Sequence, residues 1–323
     1  MTQRHLEMMD LVQEDLQRVE GTLRVLPMID YEVVEEAIGH LLGSGGKRIR
    51  PTLTLLTSRL YPADLDKVVS LAAAVEMLHT ATLVHDDLID SSLMRRGSPT
   101  LNAIWTPGTT ILVGDYLFAR AAGLAAQTDN VRVMQIFART LMTIVTGELG
   151  QMFDDGRPVS REAYERRIYA KTASMFELAT EAAGVLIHAP EDQIGVLRDF
   201  GRDLGMAFQI VDDVLDFTGD PVEVGKPVGS DLRRGVVTLP VLHFLENHPD
   251  DRRIADALSN GQRDERHIGD IVESIRASDS IGASLGDARE YTRRSQRALS
   301  YLPEGSARQA MWDIAEYVIT RTR

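Results

Sequence analysis

The sequence predicts an all-α protein built as a bundle of long helices, and three observations carry that prediction. Apolar residues recur at helical spacing along nearly the whole chain, whereas strand-like alternation is scarce. Three long segments are apolar around most of their circumference, as helices inside a bundle are. Glycine and proline concentrate in a few short breaks, none of which has the length or composition of an interdomain linker. We therefore expect one helical domain over residues 1–323.

Each predicted element has its own signal. The three segments that are apolar on most sides are 64–90, 110–126 and 204–217. Amphipathic spacing predicts further helices at 31–43, 130–152, 160–187, 191–203, 281–301 and 305–321. Loops are expected at 42–47, around residue 62, and at 218–231, where the density of glycine and proline is highest. Residues 248–280 are charged and irregular, so we expect short exposed helices and loops there.

Composition excludes several classes of function. The formal net charge is −13, which argues against broad binding of nucleic acid or anionic membranes, so an anionic ligand needs a local basic cluster or a metal. No cysteine is present, which removes disulfides, thiolate catalysis and Cys-ligated metal centres. No apolar stretch follows the first residues, and the uncharged stretch 97–114 contains two prolines and many polar residues. We expect a soluble, cytoplasmic protein.

Two similar acidic motifs end helices that are otherwise apolar. In each motif three aspartates occupy positions i, i+1 and i+4, so the three carboxylates share one face of the helix. Such carboxylates repel one another unless a cation neutralises them. One copy could be an ordinary solvated helix end, but two copies favour metal, and an all-oxygen ligand set favours Mg²⁺ that completes its shell with phosphate oxygens. The predicted metal ligands are Asp86, Asp87, Asp90, Asp212, Asp213 and Asp216.

Basic residues stand near loops and near these motifs. Guanidinium and ammonium groups suit phosphate oxygens, although each cluster by itself is more often an ordinary surface charge. His79 shares a helix face with Thr82 and Asp86, so its position indicates the same site. The basic residues in question are Lys47, Arg48, Arg50, Arg95, Arg96, Lys171 and Lys226.

Two metal-binding motifs with separate basic clusters indicate two phosphorylated ligands, one bound through metal and one bound by side chains. A site of this kind can ionise a carbon–oxygen bond by stabilising a leaving diphosphate. The sequence has no Ser-His-Asp arrangement, Walker-type loop or dinucleotide fingerprint. Lewis-acid chemistry on a diphosphate is therefore the favoured reading.

From about Tyr31 to the C-terminus, the chain resembles the trans-isoprenyl diphosphate synthases of the polyprenyl synthetase family. The resemblance is specific because many short motifs occur in the family's order. These are Gly46-Lys-Arg-Ile-Arg-Pro51, Glu76-Met-Leu-His-Thr80, Leu83-Val-His-Asp-Asp-Leu-Ile-Asp90, Arg95-Arg-Gly97, Gly114-Asp-Tyr-Leu-Phe-Ala-Arg120, Gly147-Glu-Leu-Gly-Gln151, Lys171-Thr-Ala-Ser174, Phe208-Gln-Ile-Val-Asp-Asp-Val-Leu-Asp216 and Gly225-Lys-Pro-Val-Gly-Ser-Asp231.

The resemblance implies antiparallel helices around a central cavity, a homodimer, and sequential head-to-tail condensation of isopentenyl diphosphate with an allylic diphosphate. It implies that the six aspartates hold Mg²⁺ against the allylic diphosphate, which Arg95, Lys171 and Lys226 also contact. Thr172 and Gln209 would place oxygens near the developing carbocation. The implied isopentenyl diphosphate site comprises Gly46, Lys47, Arg50, His79 and Arg96, with Phe208 beside them.

The chain departs from the family pattern at Val236, where many members carry lysine, and Arg233 or Arg234 could supply the missing charge. The loop 218–235 is the expected lid, because the allylic cation must be kept from water. Ala81 and Thr82, at i−5 and i−4 from the first aspartate, are small, which by the family's pattern implies a product of geranylgeranyl length or longer. Large side chains of the 110–145 helices would then close the pocket floor.

Two alternatives remain open at the level of sequence. A terpene cyclase could share the scaffold, but such enzymes commonly keep only one aspartate motif and lack the Gly-Lys-Arg loop. A non-catalytic subunit of a heteromeric synthase would be expected to have lost its aspartates, whereas this chain has all six. Both features favour the elongating enzyme.

Overall fold

A computed structural model describes residues 11–43, 46–95, 97–153, 160–219, 228–259 and 265–321, and most of these residues are helical. The one strand pair within these ranges is the antiparallel ribbon of β1 (Met94–Arg95) and β2 (Ser98–Pro99). The all-α prediction is thus confirmed. The helices are α1 (Gln13–Leu23), α2 (Glu32–Gly43), α3 (Ile49–Ser58), α4 (Leu65–Ile89), α5 (Leu101–Ile104), α6 (Pro107–Ala126), α7 (Val131–Phe153), α8 (Arg161–Ile168), α9 (Ser174–Leu186), α10 (Glu191–Thr218), α11 (Ser230–Arg233), α12 (Leu239–Asn247), α13 (Arg253–Ser259), α14 (Glu265–Ala277), α15 (Ser280–Leu299) and α16 (Ser306–Thr320).

The chain divides into two compact units. The first comprises Met1–Met142, Met175–Gly201 and Ala298–Ile314. The second comprises Thr143–Ser174, Arg202–Arg297 and Ala315–Arg323. The expectation of one helical domain over residues 1–323 stays a prediction.

Helix α4 supplies much of the core of the first unit. Asp64 caps its N-terminus, since the carboxylate accepts hydrogen bonds from the amides of Asp66 and Lys67. Apolar residues cover all sides of α4, which packs most extensively against α6 and also against α1 and α3. By length and composition α4 could cross a membrane, but 78% of its apolar window is buried inside the protein. Such burial is what a core helix of a bundle shows.

The second unit has a core of its own. Its buried side chains come from α8 and from α10 to α15, with Tyr164, Phe217 and Phe244 as the large aromatic members. Arg294 on α15 donates two hydrogen bonds to the buried Asp203 on α10, at 2.9 and 3.0 Å. The second aspartate motif therefore ends a helix that is anchored on several sides.

The structure corrects the sequence analysis in three places. The predicted helices 191–203 and 204–217 are one helix, α10, because the change from amphipathic to apolar marks a change of surroundings rather than a chain break. Residues 248–280 are less exposed than expected, since α14 buries Ile268, Ile271, Val272 and Ile275 in the core of the second unit. Their spacing of i, i+3, i+4 and i+7 was a readable signal. Helices α1, α3, α5, α11 and α12 were not predicted.

A π-helical turn, Tyr169–Ala173, interrupts the predicted helix 160–187 between α8 and α9. Such turns are rare and occur mostly as single turns within α-helices, frequently at functional sites. This turn carries Lys171 and Thr172, two of the predicted site residues.

Candidate active site

The first aspartate motif lies at the C-terminal end of α4, with Asp90 as the C-cap residue. The carbonyl groups at this end of a helix carry partial negative charge, so three carboxylates here need a positive partner. Asp90 is exposed and Asp86 is half-buried, whereas only 5% of Asp87 is exposed. Two carboxylates of the motif are therefore accessible and one is buried.

Arg95, on β1, provides the positive partner of the buried aspartate. Its Nε lies 2.9 Å from both carboxylate oxygens of Asp87, and its Nη2 lies 2.8 Å from Oδ1. A guanidinium group has five N–H donors, so this pairing is compatible with the predicted binding of a phosphate oxygen by Arg95.

The loop before α3 is fixed by Arg48. The Arg48 guanidinium donates to Glu20 Oε1 at 2.5 Å, to Glu76 Oε1 at 2.7 Å and to the Leu42 carbonyl oxygen at 2.5 Å. The Arg48 backbone is left-handed, with φ of 47°. Arg48 is thus committed to holding α1, α4 and the loop together, so its part in the basic cluster is structural.

The other predicted residues of this cluster are half-buried around the same loop and on α4. Gly46, Lys47 and Arg50 are each partly accessible, and the Arg50 guanidinium lies 4.8 Å from the centre of the Phe176 ring. Thr82 Oγ1 donates to the His79 carbonyl oxygen at 2.7 Å, which confirms that these two residues are neighbours on α4.

His85, directly before the first aspartate, is held between α4 and α6. Its ring stacks on Phe118 with centroids 5.0 Å apart, and its Nδ1 lies 3.2 Å from the Ala81 carbonyl oxygen. A Cβ added to Gly114 would stand 2.3 Å from His85 Cε1, so only glycine leaves room for the ring. The Gly114–Arg120 motif therefore has a packing role beside the first aspartate motif.

The second aspartate motif lies near the C-terminal end of α10, and protein donors bind its outer carboxylates. Asp212 Oδ1 lies 2.7 Å from Nη2 of Arg321, a buried residue that also donates to the Phe208 carbonyl oxygen at 2.6 Å. The Arg321 guanidinium carbon is 3.8 Å from the centre of the Phe208 ring. Asp216 accepts hydrogen bonds from the Ser230 hydroxyl at 2.6 Å and from the amides of Ser230 and Asp231 at 3.1 Å.

The middle aspartate is buried. Only 3% of Asp213 is exposed, and its two carboxylate oxygens accept hydrogen bonds from Tyr164 Oη at 2.7 Å and Gln209 Nε2 at 2.8 Å. Burial, with the neighbouring Asp231 carboxylate, raises the pKa of Asp213 to about 7 and also raises the pKa of Asp216. Burial, followed by the charge of Asp213, raises the pKa of Tyr164 well above its ordinary value.

The π-helical turn brings two predicted residues to specific partners in the second unit. Lys171 Nζ lies 2.9 Å from Glu148 Oε1, and Thr172 Oγ1 donates to Gln209 Oε1 at 2.6 Å. A Cβ on Gly147 would stand 2.5 Å from Ala170 Cβ, so the glycine allows α7 to approach the turn. The Gly147–Gln151 motif thus positions Lys171.

The structure gives the contacts of Arg233 and Arg234, the two basic residues near Val236. Arg234 Nη2 lies 2.7 Å from Asp231 Oδ1, and Arg233 Nε donates to the Val228 carbonyl oxygen at 3.3 Å. Arg234 therefore places a positive charge beside the carboxylate of Asp231. The backbone amide of Asp231 donates to Asp216. Arg96 and Lys226 lie outside the described residues, as does most of the expected lid between residues 219 and 228.

The donor set suits a hard divalent cation, because carboxylate oxygens are the ligands that Mg²⁺ takes in proteins. Within the described ranges, no group of three or more His, Asp or Glu side chains is arranged to hold a metal ion by itself. Mg²⁺ is commonly held by one or two carboxylates together with substrate phosphates. The motifs fit binding of a metal–diphosphate complex rather than of a bare ion.

Comparison with known proteins agrees with this chemistry. The polyprenyl synthetase family matches residues 31–275, and the chain belongs to that family. It is 38% identical to heptaprenyl diphosphate synthase component 2 of Geobacillus stearothermophilus, over 96% of this chain and 97% of that protein. It is 33% identical to octaprenyl diphosphate synthase of Escherichia coli (97% and 98%), and 34% identical to a short chain isoprenyl diphosphate synthase of Methanothermobacter thermautotrophicus (98% and 99%).

Solved structures show the same fold. The polyprenyl synthase of Caulobacter crescentus, complexed with calcium and isoprenyl diphosphate, superposes with a TM-score of 0.93 at 34% identity, covering 99% of this chain and 98% of that one. A decaprenyl diphosphate synthase of Rhodobacter capsulatus gives a TM-score of 0.91 at 37% identity, covering 99% of both chains. The chain is a prenyl diphosphate synthase, a transferase with the isoprenoid synthase fold, which confirms the sequence prediction of class and fold.

The roles of the individual site residues stay predictions, and the structure adds residues that the sequence analysis missed. Glu76 and Glu148 stood inside the quoted motifs, and Glu76 lies three residues before the predicted binding residue His79, which was a usable signal. Tyr164 and Arg321 stood in no motif. Their partners lie 49 and 109 residues away along the chain, so no local pattern could have indicated them.

Proposed function

We propose that this protein catalyses the Mg²⁺-dependent sequential head-to-tail condensation of isopentenyl diphosphate with an allylic diphosphate, giving a trans-polyprenyl diphosphate. One observation carries the proposal: two aspartate motifs at the negative ends of apolar helices, in a chain of the polyprenyl synthetase family. Carboxylates at the C-terminal end of a helix are disfavoured by the helix dipole, so we expect them to bind a cation. The family's substrates supply the diphosphate.

The aspartates are the proposed metal ligands. Mg²⁺ supplies Lewis acidity toward the leaving diphosphate. The more accessible carboxylates of Asp86, Asp90, Asp212 and Asp216 are the better candidates, because Asp87 and Asp213 are buried, with only 5% and 3% of their surface exposed. The calcium in the Caulobacter structure is consistent with use of a divalent cation.

Further predicted residues would bind and orient the substrates. Arg95, Lys171 and Lys226 would neutralise the allylic diphosphate, whose released form can accept the final proton. Gly46, Lys47, Arg50, His79 and Arg96 would bind isopentenyl diphosphate, with Phe208 nearby. Thr172 and Gln209 would place their oxygens near the developing allylic cation, a fixed electrostatic contribution that is strongest in a dry site.

We further propose a product of geranylgeranyl length or longer. Ala81 and Thr82 are small and buried on α4, one turn before Asp86, so no bulky side chain of these two residues obstructs a growing tail. Relatives named for heptaprenyl and octaprenyl products favour this length, while the short-chain relative makes a direct measurement necessary.

We also propose that the protein is a cytoplasmic homodimer. Exposed apolar residues on α7 support a partner surface: Val145, Leu149 and Met152 follow at i, i+4 and i+7, so they share one helix face. Sedimentation of the wild type and of Leu149→Glu tests this assembly. A monomeric wild type would contradict it.

The test of the activity uses the purified chain alone, with radiolabelled isopentenyl diphosphate, farnesyl diphosphate, and Mg²⁺ or a chelator. Asp90→Asn removes one accessible carboxylate and should reduce incorporation by at least about tenfold. Asp66→Asn makes the same change at the opposite, exposed end of α4 and is the matched control. Full incorporation with chelator, or in Asp90→Asn, would contradict the metal role.

The same assay separates the alternatives. A cyclised hydrocarbon product would indicate a terpene cyclase. Incorporation only after addition of a second protein would indicate a subunit of a heteromeric synthase, a possibility raised by relatives named component 2. Incorporation by the chain alone supports the proposed function.

A further inference from the structure

A buried hydrogen-bond chain in the second unit joins a tyrosine that no motif contains to the two predicted cation-facing residues. Tyr164 Oη donates to Asp213 Oδ2 at 2.7 Å, and Gln209 Nε2 donates to Asp213 Oδ1 at 2.8 Å. Thr172 Oγ1 donates to Gln209 Oε1 at 2.6 Å. The chain connects α8, α10 and the π-helical turn.

The direction of every bond in this chain follows from the chemistry of its members. The Gln209 amide NH₂ donates to one Asp213 oxygen and the Tyr164 hydroxyl donates to the other, so both carboxylate oxygens act as acceptors. The Gln209 amide oxygen must then point away from Asp213, where it accepts the Thr172 hydroxyl hydrogen. Because that hydrogen is directed at Gln209, the lone pairs of the Thr172 oxygen are directed elsewhere.

The surroundings hold the chain rigidly. Tyr164, Asp213 and Thr172 are all buried, and the Arg167 guanidinium lies 5.5 Å from the centre of the Tyr164 ring. Arg167 in turn donates to the Val237 carbonyl oxygen at 2.5 Å, which ties α8 to the start of α12. Dipoles fixed in a buried setting stabilise charge without the cost of reorientation.

We propose that Tyr164 is a positioning residue for catalysis: through Asp213 it fixes the Gln209 amide and the Thr172 hydroxyl so that their oxygens are presented to the allylic cation. This inference rests on the proposed function. Tyr164 is buried, with 2% of its surface exposed, so its role is through Asp213 and not by direct contact with a substrate. Its hydroxyl determines the orientation of Asp213, and Asp213 determines which end of the Gln209 amide faces Thr172.

Tyr164→Phe is the direct test, since it removes only the hydroxyl and keeps the buried ring. We expect kcat to fall about tenfold, with KM for both diphosphates within about twofold of the wild type, because the oxygens matter most when charge develops. Tyr291→Phe removes a hydroxyl from a half-buried tyrosine of the same unit and should leave kcat unchanged.

A double-variant cycle distinguishes positioning from simple loss of structure. In Gln209→Leu the chain is already broken, so adding Tyr164→Phe should change kcat by less than about twofold. If Tyr164 acts only through packing, the two losses should multiply. Multiplied losses, or a kcat of Tyr164→Phe equal to that of the wild type, would overturn the proposal.

A measurement without turnover keeps this test separate from that of the proposed function. With ¹⁵N-glutamine labelling, the Gln209 side-chain amide is identified by its loss in Gln209→Leu. We expect slow solvent exchange of this amide in the wild type and faster exchange in Tyr164→Phe, but not in Tyr291→Phe. Unchanged exchange overturns the positioning role, whereas absent prenyl transfer by the wild type overturns the proposed function.

Discussion

Gly114→Ala should damage the protein through one neighbour, the His85 ring. The new Cβ would lie 2.3 Å from His85 Cε1, 2.7 Å from Nδ1 and 2.8 Å from Nε2, all far inside van der Waals contact. The ring is stacked on Phe118, and its Nε2 lies 3.4 Å from Asp115 Oδ1, so it has to move as a whole. That movement would disturb the backbone turn that carries Asp86 and Asp87.

The expected cost follows from three terms. Overpacking a buried site costs about 1–3 kcal/mol. Loss of the stacked arrangement with Phe118 costs about 0.5–1.5 kcal/mol. Replacing glycine by alanine inside a helix returns about 1 kcal/mol. The free energy of unfolding of Gly114→Ala should therefore fall by about 2 kcal/mol, and prenyl transfer should fall with it.

Urea unfolding followed by circular dichroism measures this change. The matched control is Gly123→Ala on the same helix, α6, where the added Cβ meets nothing within 4 Å, so stability should stay equal or rise. Combining His85→Ala with Gly114→Ala removes the clashing ring and should recover most of the loss that Gly114→Ala causes. If Gly114→Ala is as stable as Gly123→Ala, or if His85→Ala gives no recovery, the reasoning is refuted.

Three further predictions concern other parts of the structure. Arg48→Gln leaves the buried Glu76 carboxylate without its partner and should lower the free energy of unfolding by about 3–5 kcal/mol. The control Arg18→Gln breaks an exposed ion pair and should lower it by at most about 1 kcal/mol. Equal urea midpoints for the two variants would contradict this prediction. Ala81→Tyr should shorten the prenyl product seen by chromatography, and an unchanged length would show that the tail does not pass Ala81. Because the pKa of Asp213 is raised to about 7, its contribution to stability is fully present below about pH 4 and is lost as pH rises through 7. Between about pH 4 and 7, the free energy of unfolding of chelator-treated wild type should fall by up to about 1.4 kcal/mol per pH unit relative to Asp213→Asn. Parallel pH profiles of the two proteins would contradict this prediction.

Sequence reasoning succeeded where the signal is local. The bounds of α4, α6 and α7 follow from the spacing of apolar residues, and the structure confirms them within a few residues. It failed for α14, where charged residues concealed four buried aliphatic side chains. Sequence reasoning also assigned Arg48 to a phosphate-binding basic cluster, whereas in the structure its guanidinium binds Glu20 and Glu76. The sequence does not distinguish a guanidinium that binds carboxylates from one that binds phosphate.

The sequence by itself determined the helical class, the family, and the grouping of each aspartate trio on one helix face, because periodicity along a helix depends only on residues a few positions apart. Only the tertiary structure decided which atoms those carboxylates meet: Arg95 for Asp87, Arg321 for Asp212, and Tyr164 with Gln209 for Asp213. Most of these partners come from other helices or from distant parts of the chain. Their hydrogen bonds depend on how helices pack, and packing is a property of many residues at once.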